Sequence, residues 1–224
     1  VTGVQTCALP IYEAICGWND PGMPEMNKMT WSPENPWVKG MYYRIYFEIT
    51  QCNEFIRESS DANLAERGFS DAQVQQIRLY RTEARFLRAL TYYHLMDLYG
   101  TGPYIPDDRT VGSYFPVQWN RQQLFTYVEN ELLAVRDDMG APRFEYGRAD
   151  KAAAWSLLSR LYLNAQVYTG NARFGDCITY CNKVTAVTGY TLATNYRNLF
   201  LADNNSTGAG EFIFAVNFDG NRTR

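Results

Sequence analysis

Residues 70–100, SDAQVQQIRLYRTEARFLRALTYYHLMDLYG, constrain this chain more than any other stretch. Ile77, Tyr80, Ala84, Leu87, Thr91, His94 and Leu98 follow one another at alternating steps of three and four. Phe86, Leu90 and Tyr93 form a second stripe beside the first. The spacing predicts one helix whose apolar face is wider than a coiled-coil seam. Ser70 with Gln73 reads as a capping box, and Gly100 stands where a left-handed residue would end the helix. At 1.5 Å per residue such a helix runs roughly 43 Å, so it needs other helices packed along most of its length.

Those partners are legible on both sides. Asn35 followed by Pro36 is a helix start, a capping side chain before a first-turn proline. From there Val38, Tyr42, Ile45, Ile49, Cys52 and Ile56 predict a helix ending near Ser59. A short helix is expected at 61–66. After the long helix, residues 101–119 read as a loop rich in Pro, Gly, Asp and aromatics, longer than a helix connection needs. Asn120 and Gln123 open a helix over 121–139 with Leu124, Tyr127, Val128, Glu131, Leu132 and Val135 on one side. A fourth helix, 151–168, turns Ala154, Leu157, Leu158, Leu161, Tyr162 and Ala165 inward. A fifth, 172–188, carries Phe174, Cys177, Ile178, Cys181 and Val184. Residues 196–201 read as a helical turn, 204–210 as a polar loop, and 211–218, EFIFAVNF, as a strand whose sheet partners lie beyond Arg224.

The long helix and the fourth helix repeat one another. Ala84, Leu87, Tyr92 and Gly100 each have the same residue seventy positions on, at Ala154, Leu157, Tyr162 and Gly170. Each is preceded by another amphipathic helix, over 36–59 and 121–139. An offset of seventy is about two tetratricopeptide-type repeats. The expected fold is therefore mainly α, tetratricopeptide-like helical repeats in an α-α superhelix, with a C-terminal strand belonging to a missing second half. The expected organisation is a non-native leader at 1–11, a loop-rich segment at 12–36, the helical-repeat domain at 37–201, and the start of a truncated part at 202–224. The leader, VTGVQTCALPI, resembles a translated sequencing adapter.

Composition excludes several functions. With 224 residues and 46% hydrophobic content the chain can bury a real core. A net charge of -3, with its 21 Lys and Arg scattered, speaks against nucleic acid as a partner. No apolar run is long enough to span a membrane. Of the five cysteines, Cys177 and Cys181 lie one helical turn apart but lack companion ligands, so no metal site is expected. The sole histidine, His94, sits on the apolar stripe and reads as a core residue. No nucleophile signature or metal-spaced cluster is present, so neither an enzyme nor a cofactor is expected; Asp107 and Asp108 read as a turn.

At residues 83–108, EARFLRALTYYHLMDLYGTGPYIPDD, the chain resembles the SusD/RagB family, nutrient-binding surface lipoproteins of Bacteroidetes-type outer membranes. The Ala-Arg-Phe-Leu-Arg-Ala run is Ala84 to Ala89, followed by Tyr92 and Tyr93, Leu98 to Gly100, and Pro103. Cys52-Asn53-Glu54-Phe55, Gly147-Arg148-Ala149 with Leu157 to Leu163, Gly189-Tyr190-Thr191-Leu192 and Glu211-Phe212-Ile213-Phe214 follow the family's order. The likeness covers about 37–218; the lipid-bearing cysteine and the larger C-terminal half are absent. It implies a cell-surface, outer-membrane subunit, lipid-anchored through an N-terminal cysteine absent here. Such a subunit binds an oligosaccharide or polysaccharide and delivers it to a TonB-dependent, SusC-like transporter. The alternative from the repeats alone is a tetratricopeptide-type adaptor that grips peptides.

The motif residues read as scaffold, with Glu83, Arg85 and Arg88 forming ion pairs along their helix, so the ligand site is sought on loops. Trp18, Trp31 and Trp37 fall in one loop-rich stretch with Asn19, Asn27 and Asn35. Indole faces stack on the C–H faces of sugar rings while amides meet their hydroxyls. The candidate ligand-binding residues are Trp18, Asn19, Trp31, Asn35 and Tyr104, with Trp119 beside the last and Trp37 expected to pack inward.

Overall fold

The computed structural model describes residues 16–108, 112, 114–208 and 210–217; the expected leader at 1–11 lies outside them. The chain divides into two compact units between Glu48 and Ile49. In the first unit, helix α1 (Met23–Lys28) stands within the segment expected to be loop. It begins after Gly22, at φ 87°, and ends on Met29, at φ 57°. Both ends use the left-handed region, so neither announces itself through an Ncap side chain. Helix α2 (Pro36–Glu58) starts in this unit and continues into the second. Asn35 caps it as expected: its Oδ1 accepts from the N–H groups of Trp37, at 3.0 Å, and Val38, at 3.4 Å. Ile45, Ile49 and Cys52 of the expected stripe are buried.

In the second unit, Ser60 caps the short helix α3 (Asp61–Glu66). The long helix α4 (Asp71–Tyr99) runs unbroken for 29 residues. Both halves of its Ser70–Gln73 capping box form, and Gly100 ends it at φ 76°. Its buried face differs from the one expected. Phe86 and Tyr93 of the second stripe and Thr91 of the first are buried with Ala89, Tyr92, Leu95 and Met96, whereas Leu98 is 56% exposed and Leu87 and Leu90 are half-buried. The apolar arc is wide enough that sequence spacing alone leaves its centre undetermined, and packing centres it on the second stripe.

The expected long loop is partly ordered as strand β1 (Gly102–Tyr104) paired antiparallel with β2 (Val117–Trp119). Helix α5 (Arg121–Val135) follows, with a capping box of Asn120 and Gln123, and packs on α4. It stops four residues short of the expected end. The expected fourth helix is broken at Asn164 into α6 (Lys151–Leu163) and α7 (Ala165–Thr169). All six residues expected to face inward there are buried. Helix α8 (Phe174–Thr185) packs on α6 through Tyr180, whose ring stacks on Tyr162 at 5.8 Å. Phe174 and Ile178 are more than half exposed. A 3-10 turn (Tyr196–Phe200) and a short helix α9 (Asn204–Thr207) lead to the last described residues.

The repeat is real but framed differently. The long helix of each repeat packs on the helix that follows it, α4 with α5 and α6 with α8, rather than chiefly on the one before. Tyr92 and Tyr162 are both buried, and Gly100 and Gly170 both close their helices with positive φ. The expected strand at 211–218 does not form over its described residues, 211–217. No strand is present beside it among the described residues, and an isolated strand leaves its ladder groups unpaired. Phe214 packs edge-on against Phe86 instead, at 5.6 Å.

Candidate functional site

In the first unit the indoles face outward. Trp18 is 72% exposed and Trp31 42%, and Asn19 is exposed beside Trp18. Trp37, expected inside, is 46% exposed, with its indole N–H donating to the Pro21 carbonyl at 3.1 Å. Asn35 is the correction. Its amide is buried and donates to the Gly22 carbonyl at 2.9 Å while its oxygen caps α2. Both ends of the side chain are engaged in holding the start of α2. Asn27 is likewise bonded on both sides to the Cys16 backbone.

Tyr104, in the second unit, belongs to an aromatic pier. In the β1–β2 register Gly102 lies opposite Trp119. The glycine has no side chain, which leaves room for Tyr104, two residues on and on the same face, to lean across. The two rings stack parallel, 3.8 Å apart. Tyr127 of α5 meets both edge-on, at 5.2 Å and 5.9 Å, and Tyr92 of α4 at 4.9 Å. Burial, the largest effect, pushes the Tyr127, Tyr92 and Tyr104 phenols up, so all stay neutral.

Beneath the pier lies a charge network that the sequence placed elsewhere. Arg88 was expected to pair along its own helix; it is 4% exposed and bonds three other segments. It donates to Asn53 of α2 at 2.7 Å, Asp107 at 2.6 Å and Glu131 of α5 at 2.8 Å. Arg85 also bonds Glu131, at 2.8 Å. Burial alone would raise the Glu131 carboxyl, but the two guanidinium partners outweigh it and hold the group below its ordinary value. Asp107 is thus an anchor rather than a plain turn residue. Asn53 donates to the Ile105 carbonyl at 2.9 Å, and the Ile105 N–H donates to the Tyr92 hydroxyl at 2.9 Å. The family-like motif residues Asn53, Arg88 and Tyr92 therefore fix the chain just after Tyr104.

Other motif residues are structural too. Glu83 of α4 accepts from Arg148 in the loop before α6. Asp150 caps α6 and also accepts the Arg143 N–H at 2.6 Å. His94 is half-buried against Tyr93, and burial, aided by Arg160, lowers its pKa. Cys177 and Cys181 are unbridged thiols. Among the described residues no helix is long and apolar enough to cross a membrane.

These paired helices with an inserted strand pair are the SusD-like fold. A SusD superfamily protein from Parabacteroides distasonis superposes with a TM-score of 0.74, at 22% identity, over 91% of this chain and 43% of its own. A structure solved with xylogluco-oligosaccharide superposes with a TM-score of 0.72, at 22% identity, over 90% and 39%. The chain belongs to the SusD/RagB family. It is 37% identical over 220 residues to the starch-binding protein SusD of Bacteroides thetaiotaomicron. That alignment covers 96% of this chain and 37% of SusD, so the chain spans little more than a third of that relative's length. No family model matches it.

Proposed function

We propose that this chain is the glycan-binding, helical part of a lipid-anchored outer-membrane protein on the cell surface. It captures oligosaccharides there and passes them to a TonB-dependent, SusC-like transporter. The observation that carries the reading is the pair of outward indoles, Trp18 at 72% and Trp31 at 42% exposure, with Asn19 exposed beside the first. Trp is a large apolar group that a fold ordinarily covers, and an exposed indole beside an exposed amide offers a ligand both an apolar face and a hydrogen-bonding group. Similarity to a starch-binding protein makes a sugar ring the natural partner for those faces. The chemistry is recognition, since the relatives named for a ligand are named for binding it.

Affinity electrophoresis and calorimetry against a polysaccharide panel test this, with Trp18→Ala and Trp31→Ala beside the parent. Loss of a stacking partner weakens binding by about 1–3 kcal/mol. Unchanged affinity in both variants, with unchanged melting curves, places the sugar elsewhere. Binding of unfolded peptides but no glycan selects the adaptor reading.

A further inference from the structure

A groove of about 490 Å³ lies along one face of α5, lined by Trp119, Gln122, Gln123, Tyr127, Asn130 and Glu131. Its size falls within the range of small-molecule sites. Three features set it apart from a casual surface dent. First, its aromatic wall is fixed. The Trp119 indole is stacked on Tyr104 and braced by Tyr127, while Tyr104 is held next to the segment that Arg88 and Asn53 pin. A ring locked before binding loses little entropy on contact.

Second, the groove carries idle hydrogen-bonding groups. The side-chain amides of Gln122 and Asn130 are exposed and make no hydrogen bond among the described residues. They stand two helical turns apart, about 12 Å, a span longer than one pyranose ring. Third, the charges balance. Glu131 is already bonded to Arg85 and Arg88, and Arg88 also to Asp107. Among the described residues no cation lines the groove to draw an acidic sugar.

We infer that this groove is a second saccharide site, formed entirely by residues after Ile49, for a short neutral oligosaccharide. A ring stacks on Trp119, and the amides of Gln122 and Asn130 meet its hydroxyls and those of the next unit. The inference rests on the glycan reading above, but uses neither Trp18 nor Trp31.

The test is fluorine NMR of the intact chain labelled with 5-fluorotryptophan. Its five tryptophans, Trp18, Trp31, Trp37, Trp119 and Trp155, are assigned by single Trp→Phe variants. The probes are maltohexaose, cellohexaose and a xyloglucan oligosaccharide at millimolar concentration, with oligogalacturonate as the acidic control. The expected result is a saturable shift of the Trp119 signal with a neutral probe. It persists in a Trp18→Ala/Trp31→Ala double variant and weakens roughly tenfold in Gln122→Ala/Asn130→Ala. A motionless Trp119 signal while Trp18 or Trp31 responds overturns the groove and leaves the glycan reading standing. Silence from every tryptophan overturns both. A Trp119 shift that vanishes in the Trp18→Ala/Trp31→Ala variant shows no second site, and an equal response to oligogalacturonate rejects the neutral class.

Discussion

The hairpin of α4 and α5 and the hairpin of α6 and α8 place the same residues at matching positions, yet different chemistry closes them. In the first, a buried arginine bonds three segments at once, and aromatics crowd above it. In the second, α6 is apolar around most of its girth, with Ala152, Ala153, Ala154, Leu157, Leu158 and Leu161 all buried, and the ion pairs beside it are partly exposed. Small side chains let helices approach closely, so α6 needs no polar bolt. The first hairpin carries an inserted loop with a β pair between its helices, and that loop must be held. Arg88, Asn53 and Tyr92 hold it. A repeat can thus keep its tyrosine and its terminal glycine while its interior specialises, one copy for positioning a loop and the other for packing.

The largest expected effect breaks the first hairpin alone. Arg88→Met leaves Asn53 facing a buried thioether and Glu131 with Arg85 alone, and should cost about 3–5 kcal/mol in urea melts, because a buried carboxylate loses one of its two guanidinium partners and a buried amide loses its donor. The double variant Arg88→Met/Glu131→Leu should recover most of that loss. A single-variant loss under about 1 kcal/mol would show that the network only decorates the hairpin.

Next comes the repeat-related leucine pair. Leu157 is 4% exposed and its counterpart Leu87 is half-buried. Leu157→Ala should cost about 2–5 kcal/mol through lost transfer energy and the cavity left behind. Leu87→Ala should cost clearly less, about 1 kcal/mol, since part of its surface is already in water. Equal losses would mean that the two seams pack alike.

Smaller still is the glycine pair. Gly100 and Gly170 have φ of 76° and 81°, so alanine at either costs about 1–2 kcal/mol of left-handed strain. A Cβ at Gly100 would come 2.9 Å from Arg121 Nη2, while one at Gly170 meets open space. Gly100→Ala should be the worse by a few tenths of a kcal/mol, since an arginine tip moves aside cheaply. The reverse order in thermal melts would refute the matched-stop reading.

Acid separates the hairpins most subtly. The Glu131 pKa is lowered in the fold, so its contribution is complete above the ordinary carboxylate value and is lost as pH falls below it. Asp150, the cap of the second hairpin, is raised, chiefly by burial. Its effect runs the other way, favouring the fold as acid protonates it. Urea midpoints followed from pH 7 to about pH 4 should fall less steeply in Glu131→Gln and more steeply in Asp150→Asn. Parallel curves would remove the assignment of opposite signs.

Much of the architecture was readable because helix ends are local events. Ser70 with Gln73, Asn120 with Gln123, and Asn35 before Pro36 each settle a helix start within four residues. The 3.6-residue period of α2, α5 and α6 identified most of their buried faces. The same locality explains the misses. The β pair joins Gly102 to Trp119 across a gap no propensity spans, and α1 begins and ends on left-handed residues rather than on capping side chains. Among the candidate binding residues, Trp18, Asn19 and Trp31 are exposed as a binding role needs. Asn35 is a helix cap, and its place directly before Pro36 was the signal for that. Trp119, Gln122 and Asn130 were poorly legible, because a groove on a helix face depends on which neighbours stay away.

The sequence by itself determined that this chain is a set of paired helices, where they start and stop, and which family it resembles. Those features are written in hydrogen bonds and periodicities a few residues long. The tertiary structure alone decided that Arg88 is a buried hub, that α4 turns its second stripe inward, and that Trp119 lies flat on Tyr104. Each depends on groups brought together from distant positions: Arg88 meets Asn53 and Glu131 from 35 and 43 residues away. A charge or an indole carries no local mark of the partner that will bury it, and only closing the chain supplies one.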